Sequence, residues 1–247
     1  MVEEIDKTRL FWNEMSAHGV DASVIDPHDS IGEKNAYIEF NRNYYITNEL
    51  SHLKNESLVL DYGCGTGNIT RHISSLGYQC IGLDIAFDLL ALNKSGNDLL
   101  CYDGECIPFD DNSFDAVVCY VVLNYLLDRE YFESMLGEIH RVLKPGGKFI
   151  AIEQVNRSSR KIAEDNKLQR SVELFSESFE KCHFEVEATY QTRAGHFPFI
   201  YLVRAGFVPR RFFSLVVTLD RVYSSIFSFL PLDYFDTVFR LRKRVQP

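Results

Sequence analysis

Asp61, Gly63, Gly65, Gly67, Asp84 and Asp103 are the residues whose types and spacing could do chemistry. Three glycines at alternate positions suit a backbone that must turn sharply or come close to a ligand. They follow the apolar run Leu58-Val59-Leu60 and precede a helical pattern, Ile69, Ile73 and Leu76, that Gly77 is placed to end. A ligand in such a turn would lie over a helix N-terminus. Asp84 ends a second apolar run, about 20 positions beyond the first glycine, where two carboxylate oxygens can accept from the two vicinal hydroxyls of a ribose. It can equally be the N-cap of a helix over 86–94. A glycine-rich turn can also serve shape alone.

Two cofactor families compete for this turn. A dinucleotide fold wants G-x-G-x-x-G/A, and starting that motif at Gly63 puts Asn68 where the third glycine belongs. The acidic-x-G-x-G-x-G order of Asp61 to Gly67 instead resembles the first motif of the class I methyltransferases that use S-adenosylmethionine (SAM). That resemblance implies that Gly63, Cys64, Gly65 and Gly67 lie against the methionine part of SAM, that Asp61 helps hold its amino group, and that Asp84, with Ile85 beside it, serves the ribose. The stretch Asp103-Gly104-Glu105-Cys106-Ile107-Pro108-Phe109, followed by Phe114-Asp115, is similar to a second motif of the small-molecule group that includes the quinone C-methyltransferases. There the aspartate contacts the adenine amino group and the backbone beside it, here Gly104 and Glu105, contacts the ring. Arg141-Val-Leu-Lys-Pro-Gly-Gly147 matches a third, structural turn of the family, so His140 and Arg141 are read as helix surface and not as catalysts.

The elements that must carry these residues follow from periodicity. Strands are expected at 58–60, 79–84, 99–103, 116–120 and 149–152, with a sixth over 183–192 and a last, antiparallel one over 234–241. The expected fold is α/β: a doubly wound, Rossmann-like, mostly parallel seven-stranded sheet with an antiparallel last strand. Residues 1–57 form an N-terminal cap, 58–153 the SAM-binding core, and 154–247 a substrate-side part. A helix over 35–53 in the cap either brings Tyr37 and Arg42 to the end groups of SAM, as the resemblance implies, or merely packs on the sheet edge.

An insertion over 195–232 is rich in large apolar residues. Phe212, Val216, Leu219, Tyr223, Ile226 and Leu230 define a helical face. From Arg204 to Pro247 there are eight Lys or Arg against three Asp, in a chain of net charge −9. A lid over the acceptor, a homodimer contact and a peripheral membrane contact all fit this pattern; a lid is the reading adopted.

The chain as a whole excludes several classes. A charge of −9 disfavours nucleic-acid binding, which needs a basic surface. No apolar stretch reaches the roughly 18 residues of a membrane span, and no secretory leader is evident, so a cytoplasmic protein is expected. The six cysteines form no C-x-x-C pair and no zinc spacing, so no metal is expected.

The function expected is methyl transfer from SAM, leaving S-adenosylhomocysteine, to a small-molecule acceptor. A hydroxyl of a sugar, glycan or secondary metabolite is preferred. Ligands of doubly wound sheets sit beyond the carboxyl ends of the strands. That places Tyr120, also counted among the cofactor contacts, with Asn124, Glu153, Gln154 and His196 near the acceptor. Relatives carry histidines after strand four, where this chain has Leu123-Asn124-Tyr125. The general base is therefore open, with Glu153, His196, His18 and His28 as candidates. The alternatives are a non-catalytic SAM-binding partner subunit, a methyltransferase of a membrane-associated quinone or lipid, and a nicotinamide oxidoreductase that Asn68 disfavours.

Overall fold

The computed structural model describes residues 2–19, 29–94, 96, 98–162, 166–227 and 234–244. Two helices, α1 (Val2–Met15) and α2 (Glu33–Leu50), precede the first strand, β1 (Leu58–Tyr62). There follow α3 (Asn68–Ser75), β2 (Gln79–Asp84), α4 (Phe87–Leu90), β3 (Asp98–Cys101), β4 (Phe114–Tyr120), α5 (Arg129–Val142) and β5 (Leu143–Val155). The last third holds β6 (Arg160–Ile162), β7 (Lys167–Gln169), α6 (Val172–Lys181), β8 (Phe184–Ala194), α7 (Phe199–Arg204), α8 (Phe213–Phe227) and β9 (Phe235–Lys243).

Seven strands form one sheet in the order β3-β2-β1-β4-β5-β9-β8, while β6 and β7 make a separate hairpin. β1, β2, β3, β4 and β5 are mutually parallel. β9 inserts between β5 and β8 and runs antiparallel to both. The order reverses between β1 and β4, the switch point outside which a doubly wound sheet binds ligands. The expected fold class is thus the observed one.

The strands form where the sequence is apolar on both faces. Val59, Leu60, Val117, Val118, Ile150 and Ala151 are fully buried, as a sheet covered on both sides requires. Phe149, Phe175, Phe179 and Phe239 pack edge-to-face or tilted, with ring centroids 5.2–5.9 Å apart, and tie α6 to β5 and β9.

Some boundaries differ from expectation. The Pro145-Gly146-Gly147 turn is a bulge inside β5: pairing with β4 shifts between Phe114↔Leu143 and Ala116↔Lys148, then resumes. The helix expected over 86–94 is the short α4, and β3 ends two residues before Asp103.

Candidate active site

The glycine turn leaves β1 at Tyr62 and enters α3 at Asn68. Gly63 has φ +75° and its N–H donates to Leu83 O at 2.8 Å. A Cβ there would lie 2.3 Å from Val122 Cγ2, so the position admits only glycine. The Gly65 N–H donates to Asp84 Oδ2 at 2.8 Å, while Asp84 Oδ1 accepts the Ala86 N–H at 2.8 Å. Each carboxylate oxygen therefore holds one backbone donor and keeps a second lone pair for a ligand. The capping and binding roles proposed for Asp84 are compatible.

Beneath the turn lies Asp61, inside β1 and fully buried. Thr70 Oγ1 donates to its Oδ2 at 2.7 Å, and its Oδ1 is buried with no protein partner. Burial pushes its carboxyl up to about 7, against the pull of the Thr70 hydroxyl and of the Arg42 charge. Arg42, from α2, is buried with its guanidinium 5.5 Å from the centroid of the Tyr120 ring.

Gly63, Gly65, Asp84, Arg42 and Tyr120 border a cavity of about 790 Å³, its mouth included, which is within the usual range for small-molecule sites. Its floor is the glycine turn with Asp84 and Ile85; its roof is α1, through Thr8 and Trp12. The remaining wall is aromatic. Tyr102 and Tyr62 join hydroxyls at 3.1 Å, and Trp12 meets Tyr125 edge-on at 4.8 Å. Tyr120 and Tyr131 complete it.

The loop after β4 forms the side facing α2. Val121 has φ +53°, a conformation that a β-branched residue adopts only when its surroundings force it. Two buried groups do so. Glu153 Oε1 accepts the N–H of Val122 at 2.9 Å and of Leu123 at 2.8 Å. Arg170 donates to Leu123 O at 2.8 Å and to Leu126 O. Asn124 is fully buried and donates to Gln154 O at 2.8 Å, so it braces the loop and does not face the cavity.

Of the residues singled out in the sequence, Gly63, Cys64, Gly65, Asp84, Ile85, Tyr120 and Arg42 line the cavity. Gly67 caps α3 and Asp61 lies below. Others depart from expectation. Asp103 is exposed and closes a local turn, its Oδ1 accepting the Glu105 N–H at 2.9 Å, and Glu105 is exposed too. Gly104 is buried under α1: Tyr131 Oη donates to its carbonyl at 2.7 Å and Ile5 covers its Cα. None of the three lines the cavity.

Tyr37 turns away, donating to Asp220 Oδ2 at 2.9 Å. His196 is exposed with Nδ1 3.1 Å from Tyr201 Oη, and it too is absent from the cavity wall. Glu153 supports the loop from beneath; its position is structural. The side chain of His18 and all of His28 lie outside the described residues. The N-terminal cap and Tyr120 were singled out in the sequence, but α1 as the roof and Tyr62, Tyr102, Tyr125 and Tyr131 in the wall were not.

A family model described as a methyltransferase domain matches residues 60–151, the segment from β1 to β5 that builds the turn, Asp84 and the loop after β4. The chain belongs to the class I SAM-dependent methyltransferases. Among curated methyltransferases it is similar to the demethylmenaquinone methyltransferase of Corynebacterium urealyticum, 38% identical over 96 residues, which are 38% of this chain and 40% of that one. An uncharacterized protein of Methanocaldococcus jannaschii is 31% identical over 180 residues, covering 70% of this chain and 74% of its own.

In fold, the chain resembles a phosphoethanolamine N-methyltransferase of Haemonchus contortus, solved with phosphomonomethylethanolamine and S-adenosylhomocysteine. The TM-score is 0.65 at 19% identity, over 97% of this chain and 60% of that one. The chain spans 40% and 59% of the two demethylmenaquinone methyltransferases it matches, so the likeness is to the methyltransferase core.

Proposed function

We propose that this methyltransferase binds SAM in the cavity beneath α1 and passes its methyl group to a planar small molecule bearing an acidic hydroxyl. The observation that supports cofactor binding most is the Arg42 guanidinium on the cavity wall together with the buried, orphaned Oδ1 of Asp61 beneath the glycine turn. A cation on the wall suits the carboxylate of the amino-acid end of SAM, and a free carboxyl oxygen beneath the turn suits its ammonium. Asp84 keeps two lone pairs for the ribose. The aromatic wall suits a sulfonium, because ring faces attract cations. The cap residue Arg42 thus takes the part for which Tyr37 was also a candidate, and Tyr37 does not share it.

SAM supplies an electrophilic methyl group carried on sulfur. The chain has to align the acceptor and keep water out, which the α1 roof and the tyrosines do. Proton removal is the weaker part of the machinery. Among the described residues no histidine lines the cavity, and burial pushes the phenol of Tyr120 well above its ordinary range. A sugar hydroxyl would need a strong base that the wall does not offer. A phenol or enol ionises more easily, and its oxyanion would be held by Arg42.

Titration calorimetry with SAM and NAD tests the cofactor; binding of NAD without SAM would end this reading. Incubation with methyl-labelled SAM and a panel of phenols, enols and sugar alcohols tests the acceptor class, and label in the sugars alone would refute it. The missing base also favours a second reading, a SAM-binding partner subunit without catalysis. That reading requires SAM affinity with no S-adenosylhomocysteine formed from any acceptor.

A further inference from the structure

The insertion between β8 and β9 was expected to cover the acceptor, but no residue of α7 or α8 lines the cavity. α8 instead buries Phe213, Val216, Val217, Asp220 and Ser224. Asp220 determines which side faces inward: its carboxylate accepts from Tyr37 Oη at 2.9 Å and from the Ala194 N–H at 3.0 Å. The inward turn of this acid leaves a second apolar stripe outside. Leu215, Leu219, Val222 and Ile226 are 56, 38, 50 and 56% exposed. At about 100° per residue they gather within about 60° of arc. Tyr201, Leu202, Phe207 and Phe212 extend the exposed apolar surface before α8, Phe207 reaching 77%.

The charge on this segment is as one-sided as its apolarity. Between residues 195 and 227 the cations are Arg204, Arg210, Arg211 and Arg221, and the one acid, Asp220, is fully buried. Arg211 lies 5.0 Å from the centroid of Phe212, an aromatic–cation pair at the edge of the stripe. Arg210 is held at 2.9 Å by Glu33 of α2. Arg221 lies 5.8 Å over the Tyr190 ring on the flank of α8, so Arg211 is the cation that borders the apolar stripe, in a chain of net charge −9.

We propose that this face docks the protein on an anionic lipid bilayer. α8 would lie in the plane of the interface, its outer stripe among the upper acyl chains and its arginines at the headgroup phosphates. A helix apolar on two sides needs a second apolar partner, and positive charge around that side selects a negative surface. Self-association about a two-fold axis fits worse, because it brings Arg211 of each copy to the same apolar contact. The contact is peripheral: no described helix is long and apolar enough to cross a membrane. Docking places the cavity near the membrane through α2, which bears Arg42 and packs Tyr37 and Phe40 edge-on against Phe213, with centroids 5.5 and 5.8 Å apart.

The proposal does not depend on methyl transfer and is tested without it. Full-length protein is floated with phosphatidylcholine vesicles and with vesicles containing one quarter phosphatidylglycerol. Wild type should float with the second kind only and be released by about 0.5 M salt, where surface attraction is screened. Leu219→Ser/Val222→Ser and Arg211→Glu/Phe212→Ser change only exposed positions. Each should keep the melting temperature and the SAM affinity while losing at least about tenfold in vesicle binding. The proposal falls if wild type stays unbound at low salt, or if both double variants float like wild type. It also falls if light scattering shows a dimer that the serine variant dissociates while neither protein binds vesicles. Calorimetric SAM affinity, followed in parallel, separates this failure from failure of the cofactor reading.

Discussion

Each carboxylate oxygen of Asp84 accepts one backbone N–H, so removing the side chain affects both the turn and a ribose bound there. Asp84→Ala should weaken SAM binding by about 1.5–3 kcal/mol, the range for hydrogen bonds to a charged group, or one to two orders of magnitude in calorimetric affinity. Wild-type affinity in a variant that folds normally would leave Asp84 as a cap alone. Its place on the cavity wall was legible because its position after the glycines has a chemical reason. Asp103 misled for a local one: an aspartate beside a glycine readily bonds its own backbone two residues on. Tyr37 misled because its partner, Asp220, lies far along the chain, where no spacing rule reaches.

The loop after β4 is an element without regular structure, held by an acid on its N–H groups and an arginine on its carbonyls. Burial raises the Glu153 carboxyl to about 7, against the N–H groups of Leu123 and Val122 and the charge of Lys167. The folded state thus holds this proton more tightly than the unfolded chain. The associated stability is fully present below about pH 4.5, the ordinary glutamate range, and is lost as pH rises through about 7. Glu153→Gln keeps an oxygen for both N–H groups and cannot titrate. The melting temperature of wild type relative to this variant should fall between those pH values and level off above. A difference that ignores pH would show that the carboxylate is not the titrating group. His140, displaced down to about 4 by burial, acts in the opposite direction, but in both proteins alike.

Sequence patterns gave this element its strand and its missing histidines, yet not its support, since Glu153 and Arg170 come from later parts of the chain. α8 shows the same limit. Its period announced a helix, but of the face read from it Val216 is buried while Leu219 and Ile226 are exposed.

At the scale of the molecule, both ends of the described chain complete the core. α1 roofs the cavity through contacts that reach up to 124 residues along the chain: Arg9 donates to Asp103 O, and Glu4 accepts the Asp128 N–H at 2.6 Å. β9 was legible from its alternating pattern, and it pairs with two strands at once. A chain ending at residue 234 should therefore melt without a cooperative transition, whereas one ending at residue 244 should melt like the full chain. Calorimetric scans of the two check this, and a cooperative unfolding of the shorter chain would contradict the topology.

The same strand order has a consequence in time. During synthesis β4 receives its neighbour β5 as soon as residue 155 is made, but Val155 waits for Phe235. Until then β5 presents a bare row of backbone donors and acceptors, flanked by Phe149, Ile150 and Ile152, as long as the strand itself. An open apolar edge of this kind invites pairing with another nascent chain. The interval contains β6, β7, α6 and β8 and ends with the insertion, whose outer side exposes Leu215, Val222 and Ile226. A ribosome that stalls within it would release a species with both hazards exposed, so the speed of translation through residues 195–234 should influence how much protein reaches the folded state.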